Sequence, residues 1–215
     1  MKSLFLGLLV IVLVGIGGLI YRNAIEHPNM PIACPADAKL CPDGTAVARV
    51  GTACNFPACP LPNISLDAVG ISFALPGGFQ PSTLPDSTAV AAYNLNPSAT
   101  STHQEVIIVR RYSLNATSTA LGVVQDTALG MASGAPLPAT AFTSTSISTH
   151  RFTVAAIGRF EGVVDTAYYL VRGSDVLRFD AVDQNVTNWT DSQLDTASLP
   201  AHVALRQMLG TLQGD

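Results

Sequence analysis

Charge is scarce in this chain. Only 12 % of its 215 residues are Asp, Glu, Lys or Arg, and Arg110-Arg111 is the longest basic run. Nucleic-acid binding draws its affinity from Lys and Arg contacts to phosphates, so this lack excludes nucleic acid as a partner. The Arg110-Arg111 pair reads instead as a solvated strand end. Aromatic residues are also few, at 7 % with a single Trp. Trp189 is expected to cap the core, because each aromatic ring buries a large area, and it is the one side chain marked as a partner contact should it be exposed.

Ligand-spaced histidines are missing as well. His27, His103, His150 and His202 lie far apart, and His202 is expected on a helix surface. Ser133, in Gly130-Met131-Ala132-Ser133-Gly134, misses the G-x-S-x-G nucleophile elbow by one position and reads as a loop. The one acidic concentration is Asp180, Asp183, Asp191 and Asp195. In an EF-hand register from Asp183, Asn188 stands where Gly is needed and Leu194 where the bidentate Glu belongs. A strand-to-helix connection with Asx turns is expected there. Taken together, these absences predict no catalytic site, no cofactor and no metal.

What is present begins with residues 4–20, a run without a charged or strongly polar side chain, flanked by Lys2 and Arg22. As a helix it reaches ~26 Å, close to the roughly 30 Å of a bilayer's hydrocarbon core. The positions after it offer poor signal-peptidase sites, since Ala24 follows Arg22 by two and Ala33 follows Pro31 by two. An uncleaved transmembrane signal anchor over 1–22 is therefore expected. The four cysteines, Cys34, Cys41, Cys54 and Cys59, cluster just beyond it with the spacing C-x6-C-x12-C-x4-C. That spacing does not suit a four-Cys zinc site, and an export signal suits disulfides. The predicted location is the cell membrane, single-pass, with the C-terminal bulk extracytoplasmic.

Residues 30–62 hold too few apolar side chains for a core, so two disulfides are expected to replace burial, in any of three connectivities. Each would contribute roughly 3 kcal/mol on the chain-entropy model. Cys41-Pro42-Asp43-Gly44, Val47, Arg49, Gly51, Cys54, Phe56, Cys59 and Pro60 resemble a segment of uncharacterised exported bacterial proteins. The segment is also distantly similar to half of a Kazal-type inhibitor module, which carries six cysteines where this chain has four. The first resemblance implies a module type and no activity.

Residues 63–215 follow the extended Pro60-Leu61-Pro62 linker and alternate strand-like runs with turn clusters. Strands are predicted at 71–75, 90–95, 105–112, 147–156, 159–164, 166–172 and 175–183. A helix is predicted at 119–129, capped by Ser118 or Thr119, and a longer one at 198–213, capped by Ser198 with Pro200 in its first turn. The expected fold class is α+β, an antiparallel sheet with covering helices. Strand then Pro-Gly-Gly-Phe at 76–79, a central meander and the closing Leu209-Gly210-Thr211-Leu212 resemble the PsbP-like fold of small exported proteins. That resemblance implies a binding or assembly factor. The sequons at Asn63, Asn115, Asn185 and Asn188 read as chance matches in a Ser/Thr-rich chain.

The expected function is a membrane-anchored extracytoplasmic binding or assembly module, not an enzyme, serving an envelope protein or small ligand that the sequence does not name. The competing expectation is a protease inhibitor acting through the Cys-rich segment, with a substrate-like loop around 43–49.

Overall fold

The computed structural model describes residues 2–26, 33–41, 46–59, 61–95 and 105–214, with side chains in the first stretch described at 7 and 11–22. His27, His103, the Pro42-Asp43-Gly44 turn and Pro60 lie outside the described residues. The chain divides into two compact units, Met1–Ala38 with Ala48–Pro57, and Lys39–Val47 with Ala58–Asp215.

The first unit contains α1 (Lys2–Glu26), which is helical through the apolar run. Among the described residues, however, no helix is long and apolar enough to cross a membrane. The transmembrane helix of the expected architecture is corrected on that ground. Further along, Cys34 is bonded to Cys54. Arg49 organises the residues around that bond: Nε and Nη2 donate to the two oxygens of Asp37 at 2.7 and 2.9 Å, and Nη1 donates to the Cys54 carbonyl at 3.0 Å. Its guanidinium also stacks 4.2 Å over the Phe56 ring.

In the second unit Cys41 is bonded to Cys59, so among the three connectivities the structure takes 34–54 and 41–59. Strands β1 (Ala38–Leu40) and β2 (Ala46–Ala48) form a short two-stranded sheet. A second hairpin consists of β3 (Ile64–Leu66) and β4 (Ile71–Phe73).

Seven strands make the main sheet: β5 (Phe79–Pro81), β6 (Ala89–Leu95), β7 (Glu105–Ser113), β8 (Phe142–Ile147), β9 (His150–Phe160), β10 (Val163–Val171) and β11 (Asp175–Asp183). They run β5-β6-β7-β11-β10-β9-β8, antiparallel throughout. Among the described residues two α-helices accompany them, the eight-residue α2 (Ala120–Thr127) and the eleven-residue α3 (Pro200–Gly210). The α+β expectation is corrected accordingly: the unit is mostly sheet with few helices, because consecutive runs pair as hairpins and little chain is left over for crossover helices.

The strand positions follow from turn chemistry. Predicted strands at 147–156 and 159–164 give way to one long β9, reversed at Glu161-Gly162, where φ of +50° and +80° suits a tight two-residue hairpin. The Ser/Thr-rich β8 went unpredicted because Phe142-Thr143-Ser144-Thr145-Ser146-Ile147 lacks the apolar alternation of a buried strand.

Alternation in β10 and β11 distributes side chains to two faces, both of them covered. On one face Leu205, Met208 and Leu209 of α3 meet Ile107, Val109, Phe152, Leu177 and Phe179. Each fully buried Leu or Phe contributes about 1.5–3 kcal/mol. The cap of α3 differs from expectation. Leu199 is the N-cap and offers no side-chain bond, and the carboxylate of Asp183 at the end of β11 accepts from the Ala201 amide at 2.8 Å. On the other face α2 lays Val124 and Ala128 over Ala155, Ile157, Ala167, Tyr169 and Val176.

Candidate functional site

The α2 face is where the sheet departs from a simple core. Thr119 caps α2 as predicted, its Oγ1 accepting from the Gly122 amide at 3.0 Å. Beyond α2, residues 128–137 fold back on themselves: the Leu137 amide donates to Ala128, Gly130 to Ala135, and Met131 to Ile157 of β9. Ser133 sits in this loop, exposed, accepting from the Ala135 amide at 3.2 Å. A 3-10 turn at Ala139–Ala141 then leads into β8.

Between α2, this turn and the sheet lies an open groove of about 310 Å³ lined by Ala120, Leu121, Val124, Gln125, Ala139, Phe142, Thr153 and Val171. Gln125 and Thr153 alone are polar, and Leu121 is 67 % exposed. Phe142 belongs both to the groove wall and to β8. β8 is the outermost strand of the sheet and carries no charge and no proline. Charges, prolines and bulges are what usually blunt a free strand edge.

Beside the groove, the same face holds an ionic network. Arg178 of β11 donates from Nε to Asp180 Oδ1 at 2.5 Å and from Nη1 to the Thr127 carbonyl at the end of α2. Arg110 of β7 donates to Asp180 Oδ2 at 2.9 Å and to Asp86 at 2.5 Å. Arg110 is thus half-buried and paired, which corrects the solvated strand end expected for it. Thr88 and Arg110 together hold the Asp86 carboxyl at about 2, the Thr88 hydroxyl contributing most. The remaining acid is Asp165 of β10, 3.8 Å from Arg178. Its side chain is 13 % exposed by area, yet its Oδ1 is shut off from solvent and has no hydrogen-bond partner. Burial first, then the nearby Asp180 carboxylate, push its pKa up to about 8 against the pull of Arg178 and Arg110.

A second charged cluster is structural. Fully buried Asp175 accepts from Arg172 at 2.8 Å and from Arg111 at 2.9 Å, and the two arginines also donate to the Val69 and Ala68 carbonyls. They clamp the β3–β4 turn to the sheet, and the Arg172 hydrogen bond is the main cause of the lowered pKa of Asp175.

The residues singled out from sequence scatter. His202 is buried on the α3 face, 2.5 Å from the Tyr168 hydroxyl, which corrects the surface position expected for it. Burial, and after it Arg206, lower its pKa. His150 lies at the far end of β9 near the Gly214 carbonyl. Asp191 and Asp195 form the expected Asx turns, accepting from the Gln193 and Ala197 amides. Arg159 ties that connection down through the Asp191 and Leu194 carbonyls. Trp189 is half-buried in its turn. The structure thus separates Asp180 from the other three acids and brings it together with Arg178, Arg110 and Asp165, a grouping the sequence reading missed. The available signal was Arg178 and Asp180 at period two among the apolar residues between Asp175 and Asp183.

Compared with known proteins, the sequence matches no family model and no curated protein. A crystal structure from Bacteroides thetaiotaomicron VPI-5482 at 1.50 Å resolution aligns with 9 % identity and a TM-score of 0.42. The alignment covers 67 % of this chain and 45 % of that one, so the chain spans less than half the length of that protein. A likeness of that size carries no argument about fold or function.

Proposed function

We propose that this protein is an extracytoplasmic binding or assembly module. Its occupant is an extended segment of an envelope protein that adds as a strand to β8. The observation that carries this reading is the shared Phe142. As an outermost strand, β8 suits a polypeptide that adds alongside it, and the apolar groove that opens beside it suits an apolar side chain on that polypeptide. Export is supported by the two disulfides, which persist in oxidising compartments. Binding is favoured over catalysis because the described histidines, Ser133 and the acidic residues do not converge on one cleft. The protease-inhibitor reading gains no observation, since the Arg49 guanidinium is engaged by Asp37, Cys54 and Phe56.

A photo-crosslinking amino acid placed at Thr143 of the full chain, in the cells that make it, tests the reading. One discrete adduct is expected from Thr143, absent from the same probe at exposed Gln193 and lost when Leu121→Glu puts a charge in the groove. Identical adducts at both positions, or none at Thr143, would overturn it.

A further inference from the structure

The charge count around Asp165 does not balance if all its groups are ionised. Arg178 and Arg110 both pair with Asp180, and Arg110 also pairs with Asp86, so two cations already meet two anions. A third carboxylate would be an unmatched buried charge, which is costly in a poorly solvated site. Asp165 stands on a register shift between β10 and β9, opposite Gly158, whose φ of +143° is one that L side chains rarely adopt. The extra residue of this bulge lies in β9; β10 alternates without interruption, so Asp165 shares the face of Ala167 and Tyr169, and the 128–137 loop covers that face where its Met131 packs against Gly158. The loop contains no titratable residue, and Asp126 of α2 is exposed. The groups that face Asp165 are therefore Arg178 and Asp180 of β11, Arg110 of β7 with its partner Asp86, and Tyr169 of β10. Three residues beyond Asp180 on β11, Asp183 serves the opposite face as the cap of α3.

We propose that Asp165 is a proton-binding switch whose ionisation draws Arg178 away from the C-terminal end of α2 and loosens α2, the 128–137 loop and the groove wall they form. Arg178 is the agent because it is the nearest cation, at 3.8 Å, and because the same guanidinium holds the Thr127 carbonyl. A guanidinium that turns toward a newly charged Asp165 gives up that carbonyl. The network is poised to titrate near pH 8, and the sign follows from the raised value. The unfolded carboxyl ionises in its ordinary range, so folding takes up a proton at any pH between that range and about 8. Stability from this group is full below the unfolded value and declines as pH rises through the folded one. This inference does not depend on what occupies the groove.

The test is a carbon-13 carboxyl titration of the full chain labelled at Asp, together with amide hydrogen exchange of residues 120–137 from pH 6 to 9, corrected for the intrinsic rate. Asp165 is expected to titrate several pH units above the exposed acids. Protection of 120–137 should fall several-fold over the same interval, while β11 stays protected. In Asp165→Asn the fall should vanish. A midpoint for Asp165 in the ordinary carboxylate range would overturn the proposal, and so would unchanged protection of 120–137 across its titration. Both readouts come from the unsubstituted protein, so the result stands even if the Asn variant fails to fold.

Discussion

The two faces of the central sheet are closed by different physics. Under α3 the contacts are mainly hydrocarbon on hydrocarbon, with Phe152 edge-on to both Tyr168 and Phe179, alongside the Tyr168–His202 pair and the Asp183 cap. Under α2 the apolar patch is smaller, and the same face also carries Arg110, Arg178, Asp180 and Asp165. Apolar packing is tolerant of pH and intolerant of lost volume; a buried ionic network is the reverse. The α3 face is thus suited to hold the fold, and the α2 face, with its short helix, open groove and unsatisfied carboxyl oxygen, is suited to respond.

That contrast can be broken or sharpened by substitution. The largest effect is expected from Phe152→Ala, which removes a fully buried ring from the α3 face and should cost about 3–5 kcal/mol in urea unfolding. Asp180→Asn should follow, at about 3 kcal/mol, because it strips two arginines of a shared, 1 % exposed carboxylate. It should also lower the titration midpoint of Asp165, which would become their counter-ion; a midpoint that does not fall would show that the two carboxyls do not feel each other. The smallest effect concerns acid. Burial keeps His202 neutral, so its contribution is present above the unfolded histidine value near 6.5 and is lost as pH falls below it. The urea midpoint of the native chain should therefore drop between pH 7 and 5, and His202→Gln should flatten that drop. Acid would then weaken the α3 face and alkali the α2 face, and a profile in which both substitutions act at the same end would erase the distinction.

Much of the strand pattern was legible because period-two alternation and Gly-marked turns are local. Strands β6, β7, β10 and β11 and the Thr119 cap of α2 all follow from residues within a few positions of each other. The polar edge strand β8 was not legible, since its place depends on pairing with β9 and not on its own composition. The cap on α3 was misread for a similar reason: Asp183 reaches it from 18 residues upstream, whereas Ser198, adjacent in sequence, forms no part of the cap. His202 has the spacing of an exposed helical residue in sequence and is buried by Tyr168 from another element.

The scarcity of charge made each charged residue informative, and the sequence by itself was enough to place four cysteines in a segment without a core and to predict that they pair. Which cysteine meets which, and which acids meet which arginines, were decided by the tertiary structure alone. Arg110 and Asp180 are 70 positions apart and become neighbours only through the pairing of β7 with β11. Electrostatics and disulfide geometry act over a few ångströms, and only the folded chain sets those distances.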